Sequence, residues 1–290
     1  MMEIIQSLLN GFLLGGLYAA LGIGMSLVFG IMGLTNLAHG DLVILATYLC
    51  MALSAHFAGN LWVALLITVC FMVVIGFLMQ NFLVNKVLDK GSEPPLLITF
   101  GVSILLSNVL LLIFGADARA IPNSLKAINL VNTKYFSVSA VYLLDFFVAI
   151  FIVLALQYIM QHTYLGRSIR ATSDDVNAAE LMGVNTKRTY VYTMCIAMAI
   201  SAVVGLLIGM TYVFYPTSGP QYLIIAFGVV VIGGMGSLVG TLVGGIILGL
   251  AQLTGSYFFG PGYQMLAGYI VLLIILAIKP EGLLGKALRS

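Results

Sequence analysis

The chain has 290 residues, of which 61% are hydrophobic types and only 8% charged, with a formal net charge of +2. A soluble domain carries about 25% charged residues, so a water-facing globule is excluded and the lipid bilayer must solvate most of this surface. The small net charge implies no nucleic-acid partner.

Apolar runs long enough to cross a bilayer predict spans at 6–31, 37–57, 61–84, 95–115, 138–161, 189–214, 221–254 and 264–279. All seven prolines fall between these runs or at their ends, as expected of a residue that breaks the backbone ladder. No Lys or Arg precedes the first run, so it reads as a retained span rather than a cleaved signal. Cys50, Cys70 and Cys195 lie in apolar runs without ligand spacing and read as small buried hydrophobes. The expected fold is an all-α polytopic membrane protein of about eight membrane segments, including re-entrant or broken half-helices. Residues 1–290 form one transmembrane domain.

Two interruptions stand out. Ile31 to Asp41 separates the first two runs and carries Asn36, His39 and Asp41, the most polar cluster near membrane depth. Such residues are costly there and are functional candidates; their spacing also fits a helix start, with Asn36 capping and Asp41 at the positive end. The second interruption, Gly233, Gly234, Met235, Gly236 and Ser237, divides 221–254. It predicts either two half-helices that enter and leave on one side or close packing within a tilted span. Paired interruptions in the two halves of a chain point to a transport pathway. The candidate pathway residues are therefore Asn36, His39, Asp41, Gly233, Gly234, Gly236 and Ser237. Metal binding is not expected, since no second His lies close to His39.

Basic residues cluster in 85–93, in 163–188 and in the tail 280–290, which places these on the cytoplasmic side. Connectivity puts 116–136 outside despite Arg119, Lys126 and Lys134. Within 163–188, Ser173 or Asp174 can cap a short helix over 174–183 that ends at Gly183. Val176, Ala179 and Met182 form its small apolar face. A helix this short is marginal alone and needs a partner to pack against.

The stretch Asn177-Ala178-Ala179-Glu180-Leu181-Met182-Gly183 resembles the Glu-Ala-Ala-x-x-x-Gly loop of ATP-binding-cassette importer permeases, with Asn177 in place of the first Glu. Asn36-Leu37-Ala38-His39-Gly40, Gly166-Arg167-Ser168-Ile169-Arg170-Ala171, Val231-Ile232-Gly233-Gly234-Met235-Gly236-Ser237 and Pro280-Glu281-Gly282-Leu283-Leu284-Gly285 resemble, in order, four motifs of LivH-type branched-chain amino acid permeases. The resemblance covers essentially the whole chain. It implies a permease subunit in a prokaryotic inner membrane, with no catalytic residues and no cofactor. Expected partners are a second homologous permease, two cytoplasmic ATPase subunits and an extracytoplasmic solute-binding protein. The expected cargo is a branched-chain or other neutral amino acid, or alternatively urea or a short amide. Gly166, Arg167, Arg170, Asn177, Ala178, Ala179, Glu180 and Gly183 are the expected ATPase-coupling residues. A competing reading pairs Ser237 with His39 as an intramembrane serine protease. The chain has no Gly-x-x-x-x-Gly-Lys-Ser/Thr phosphate loop of its own.

Overall fold

In the computed structural model, residues 2–57, 59–91, 93–123, 125, 129–133 and 136–285 are described. The chain is a helical membrane bundle. Among the described residues eight helices are long and apolar enough to cross a bilayer, the stretch Pro216–Gly233 being one of them. The elements are α1 (Met2–Met32), α2 (His39–His56), α3 (Leu61–Leu78), α4 (Glu93–Phe114), β1 (Asn129–Thr133), β2 (Phe136–Ser139), α5 (Ala140–His162), α6 (Tyr164–Asp174), α7 (Val176–Leu181), α8 (Thr186–Thr211), α9 (Gly219–Gly233), α10 (Leu238–Phe259) and α11 (Gln264–Ile278). Past α3 the helix continues as a π-turn over Met79–Leu83. The antiparallel pair β1–β2, joining α4 to α5, was not anticipated from sequence.

The centre of the bundle is α1 packed antiparallel on α10. Glycines let the two backbones touch. A Cβ on Gly15 would lie 2.4 Å from Ile246 Cα, and one on Gly249 would lie 2.5 Å from the Gly11 carbonyl. Small residues of this kind hold membrane helices together where no hydrophobic force does. The Ser7 hydroxyl donates to the Leu253 carbonyl at one end of this seam (2.8 Å), and Gly30 meets Gly236 at the other. The seam therefore runs the full height of the bundle.

Around it sit α2, α8 and α9, largely buried, and α5, which buries one face and exposes Phe147, Phe151 and Tyr158 on the other, while α3, α4 and α11 turn exposed Leu, Ile, Phe and Trp62 outward. Helices α3 and α11 are apolar nearly all round, as suits helices facing lipid, whereas α4 also carries Thr99, Ser103, Ser107 and Asn108.

The predicted segment 221–254 is two helices, divided at the glycine break. Helix α10 crosses fully beside α1. Helix α9 has 15 residues, about 22 Å at 1.5 Å per residue; with the turn Pro216–Ser218 that leads into it the helical stretch has 18 residues, against a hydrocarbon core of about 30 Å. The segment 212–218 precedes it. Phe214 pairs with Arg119 through both backbone bonds (3.0 and 2.8 Å) at the hairpin end of the bundle, while Pro216 already receives the Ser107 hydroxyl of α4. This segment thus descends into the bundle before α9 begins. On the opposite side of the sequence, residues 33–38 do the same for α2. The Leu37 amide donates to Thr99 Oγ1 (3.2 Å) and His39 reaches the Leu21 carbonyl, well inside α1.

Candidate functional site

The two short helices begin at the same place. A Cβ on Gly40 would lie 2.0 Å from the Gly219 carbonyl, and one on Gly219 would lie 2.0 Å from Asp41 Oδ1. The N-terminus of α2 therefore abuts the N-terminus of α9 inside the bundle, and the two helices run away from that point in opposite directions. A helix N-terminus carries a partial positive charge; that of α9 is led into by the turn Pro216–Ser218 and has Pro220, which lacks an N–H, at its second position.

Asp41 stands at this junction, 1% exposed. Its Oδ2 accepts from the Ser103 hydroxyl of α4 (2.5 Å), and its Oδ1 is buried without a hydrogen-bond partner. The side chain of Ser218, the residue before α9, does not cap that helix; its Oγ accepts from the Tyr215 amide instead (3.1 Å). The turn Pro216–Ser218 leads straight into α9, and Asp41 Oδ1 lies against its first residue, Gly219.

Asn36 and His39 brace the junction. Asn36 Oδ1 accepts from the Ala38 amide (3.1 Å), while its Nδ2 is buried without a partner. His39 Nε2 lies 3.0 Å from the Leu21 carbonyl. A carbonyl only accepts, so that nitrogen carries the proton. The ring also fills the space beside Gly24, where a Cβ would lie 3.1 Å from it.

The second group of expected pathway residues lies elsewhere. Gly233 is at the far end of α9 from Gly219, about 21 Å away at 1.5 Å per residue. There the turn Gly234–Ser237 packs on the C-terminal segment. The Leu283 and Leu284 amides donate to the Ile232 and Gly233 carbonyls (2.9 and 3.0 Å), so the closing Pro-Glu-Gly-Leu-Leu-Gly stretch caps α9. Gly234 has φ 101° and faces Gly285, where its own Cβ would lie 2.2 Å from the Gly285 amide. Ser237 Oγ accepts from the Gly240 amide (3.0 Å) and caps α10. Hence Ser237 and His39 serve different helix ends, and no dyad forms between them.

A family model described as "Branched-chain amino acid transport system / permease component" matches residues 7–278. The chain belongs to this branched-chain amino acid transport permease family. It is 30% identical over 97% of its length to the high-affinity branched-chain amino acid transport system permease protein BraD of Pseudomonas aeruginosa, covering 96% of that protein. The same figures hold for LivH of Escherichia coli strain K12. It is similar over 44% of its length, at 31% identity, to the ribose import permease protein RbsC of Haemophilus influenzae, covering 42% of that protein. Among solved structures, PsaBC from Streptococcus pneumoniae in complex with Fab shares the fold with a TM-score of 0.51 at 13% identity, over 95% of this chain and 91% of that one.

In this family member the stretch 163–185 is two helices rather than the single one expected over 174–183. Gly166 lets α6 turn tightly off α5, since a Cβ there would lie 2.3 Å from the Ile159 carbonyl. Arg170 holds the same corner by donating to the Met160 carbonyl (2.5 Å), while Arg167 is exposed. Ser173 is not a cap but donates to the Gly30 carbonyl, and Asp175 replaces it by accepting from the Ala178 amide (3.0 Å). Gly183 follows α7 with φ 84°, a conformation that favours glycine. Glu180 accepts from the Thr186 hydroxyl of α8. Of the expected apolar face, Val176 and Met182 are exposed and only Ala179 turns inward. Ala179 is buried against the protein itself, Asn177 and Ala178 are exposed, and Leu181 and Met182 project at 89% and 85% exposure.

Sequence reasoning missed Ser103, Gly219 and a buried polar group near the hairpin end. Asp145 of α5 is 0% exposed and accepts from the Thr211 hydroxyl of α8 (2.9 Å), while Tyr18 donates to Gln252 (2.6 Å). Asp145 was open to detection. It is an ionisable residue within an apolar span, the same signal that singles out Asp41.

Proposed function

We propose that this chain is the membrane-spanning permease subunit of an ATP-binding-cassette importer that carries branched-chain or other neutral amino acids into a prokaryotic cytoplasm. Membership of the family, with relatives named as branched-chain amino acid permeases, supports the cargo class. One structural observation carries the coupling role. A six-residue helix, α7, packs on the protein through Ala179, and its last residue Leu181 and the following Met182 project almost fully into the open. Two large apolar side chains on so short a helix need a covering partner, and a cleft in an ATPase subunit supplies one.

In this reading the α7 end faces the cytoplasm. Closure of two ATPases moves α7, and with it α5 and α8, which flank the 163–185 segment. The Asp145–Thr211 bond ties these two helices at the opposite end, so they tilt together as a rigid pair. A second, homologous permease completes the pathway, and a solute-binding protein delivers the cargo from outside.

The test is the double variant Leu181→Asp/Met182→Asp. Burying one large apolar side chain contributes about 1.5–3 kcal/mol, and each 1.4 kcal/mol is about tenfold in affinity. Co-purification with the ATPase and solute-stimulated ATP hydrolysis should fall at least tenfold, with membrane insertion unchanged. Normal ATPase assembly by this variant would exclude α7 as the coupling element.

A further inference from the structure

At the α7 end of the bundle a cavity of about 320 Å³ lies between α1 and the start of α10 on one side and α5 and α6 on the other. That is within the range of small-molecule sites, about 300–1,000 Å³. Ser26 of α1 stands in its wall, fully buried, and its hydroxyl has no hydrogen-bond partner among the described residues. Other buried helical hydroxyls of this chain bond back to the carbonyl four residues earlier, as those of Thr47, Thr193 and Ser201 do. Ser26 makes no such bond, and the cavity is the open space beside it. A buried hydroxyl without a partner calls for one.

The rest of the lining divides by chemistry. Gln157 and Gln161 of α5 with Arg170 and Asp174 of α6 supply amides, a cation and a carboxylate, while Leu27, Ile31, Ile169 and Leu238 supply aliphatic surface. Gln161, Arg170 and Asp174 are exposed, so a solute can enter from the end of the bundle. Arg170 bonds the Met160 carbonyl through Nη1, and the remaining donors of its fork suit a carboxylate. Asp174 suits an ammonium, and the aliphatic surface suits a branched side chain. One positive and one negative group favour a zwitterion over a simple anion such as a lipid phosphate.

We propose that this cavity is a product-sensing site on the cytoplasmic side, which takes a free neutral aliphatic amino acid and slows the importer as that amino acid accumulates in the cell. The inference rests on the importer reading above. Its carboxylate binds Arg170, its ammonium binds Asp174, and Gln157 and the Ser26 hydroxyl complete the polar contacts. The Ser173 hydroxyl donates to the Gly30 carbonyl, and both residues line the cavity, so α6 is tied to α1 at this place. Helix α6 leads into α7, the segment that follows the ATPases, whereas α1 is held main chain to main chain by α10. A solute touching α6 and α1 together loses half its contacts when α6 swings away. It therefore binds the resting arrangement more tightly than the moved one, and this difference in affinity is what shifts the equilibrium. Urea and acetamide carry neither the pair of charges nor the aliphatic chain, so they should not act here.

The test uses the full complex, with its ATPase and second permease, in proteoliposomes that enclose the binding protein and radiolabelled L-leucine. ATP is added to the bath, so only complexes whose cytoplasmic face points outward work, and unlabelled solute in the bath meets that face alone. Millimolar L-leucine in the bath should lower both ATP hydrolysis and release of label at least threefold, and urea or acetamide should not. The double variant Ser26→Ala/Gln157→Leu should raise the half-inhibitory leucine concentration tenfold or more, with hydrolysis in a leucine-free bath within twofold of native. Hydrolysis by the native complex that ignores bath leucine would overturn the proposal. So would equal inhibition of the native and double-variant complexes, since the leucine would then act in the transport pathway. A phospholipid retained by the native complex and lost from the double variant, with no leucine effect, would overturn it by making the cavity a headgroup site. Failure of the importer reading has its own signature: with a leucine-free bath, ATP would release no label from the native proteoliposomes.

Discussion

Gly234→Ala tests whether the C-terminal segment is part of the bundle's working structure. The position has φ 101°, and a Cβ there would lie 2.2 Å from the Gly285 amide and 2.8 Å from the Leu284 carbonyl carbon. The neighbours are backbone, so the clash cannot be relieved by a rotamer change. Segment 282–285 must move, and the bonds from Leu283 to Ile232 and from Leu284 to Gly233 go with it. Two such bonds contribute about 0.5–1.5 kcal/mol each, and the left-handed backbone costs an L-residue about 1–2 kcal/mol. The sum, about 2–5 kcal/mol, is roughly 30-fold to several-thousand-fold in the docked population at 1.4 kcal/mol per factor of ten. Amide hydrogen exchange at Leu283 and Leu284 should quicken by that factor. Gly33→Ala is the matched control, because Gly33 also has positive φ (63°) but has nothing within 4 Å of a Cβ. It should show only the backbone cost. Unchanged exchange at Leu283 and Leu284 in Gly234→Ala would refute the docking argument outright.

Other outcomes follow from the same contacts. In a background lacking Cys50, Cys70 and Cys195, Met182→Cys should be labelled only from the cytoplasm and Phe57→Cys only from outside; the reverse pattern would invert the orientation. Asp145→Asn keeps an acceptor for Thr211 and should leave the melting temperature of the detergent-solubilised protein nearly unchanged. Asp145→Ala removes that acceptor and should destabilise by about 1–3 kcal/mol; equal melting of the two variants would show that the Asp145–Thr211 bond does not tie α5 to α8.

The spans were legible because the bilayer demands long apolar runs, and the chain keeps its prolines out of them. The break at Gly233–Ser237 was equally plain. What it divides was not, since nothing local says that α10 runs the full length of α1 while α9 starts deep inside. That depends on Gly40 meeting Gly219, a contact between residues 179 positions apart by number. The faces of the helices were also hidden. A span that is apolar all round has no periodicity to show which side is buried, and the same holds for Ala179, whose small size suggested an open face although it packs inward. Lys126, Lys134 and the last residues, Lys286 and Arg289, which entered the charge argument, lie outside the described residues. Of the candidate pathway residues, Asn36, His39 and Asp41 are gathered at one junction, while the glycines and Ser237 are gathered at another.

The seam between α1 and α10 constrains how such a machine can work. Most flexible joints in proteins rely on side chains that can settle into a second arrangement. Here main chain lies on main chain, with glycine on both sides at Gly11, Gly15, Gly245 and Gly249, so there is almost nothing to rearrange. The pair behaves like the stator of a motor, a frame that keeps its shape while other parts swing past it. Loosening it with a single methyl group would therefore not free a motion. It would take away the fixed reference against which every other helix moves.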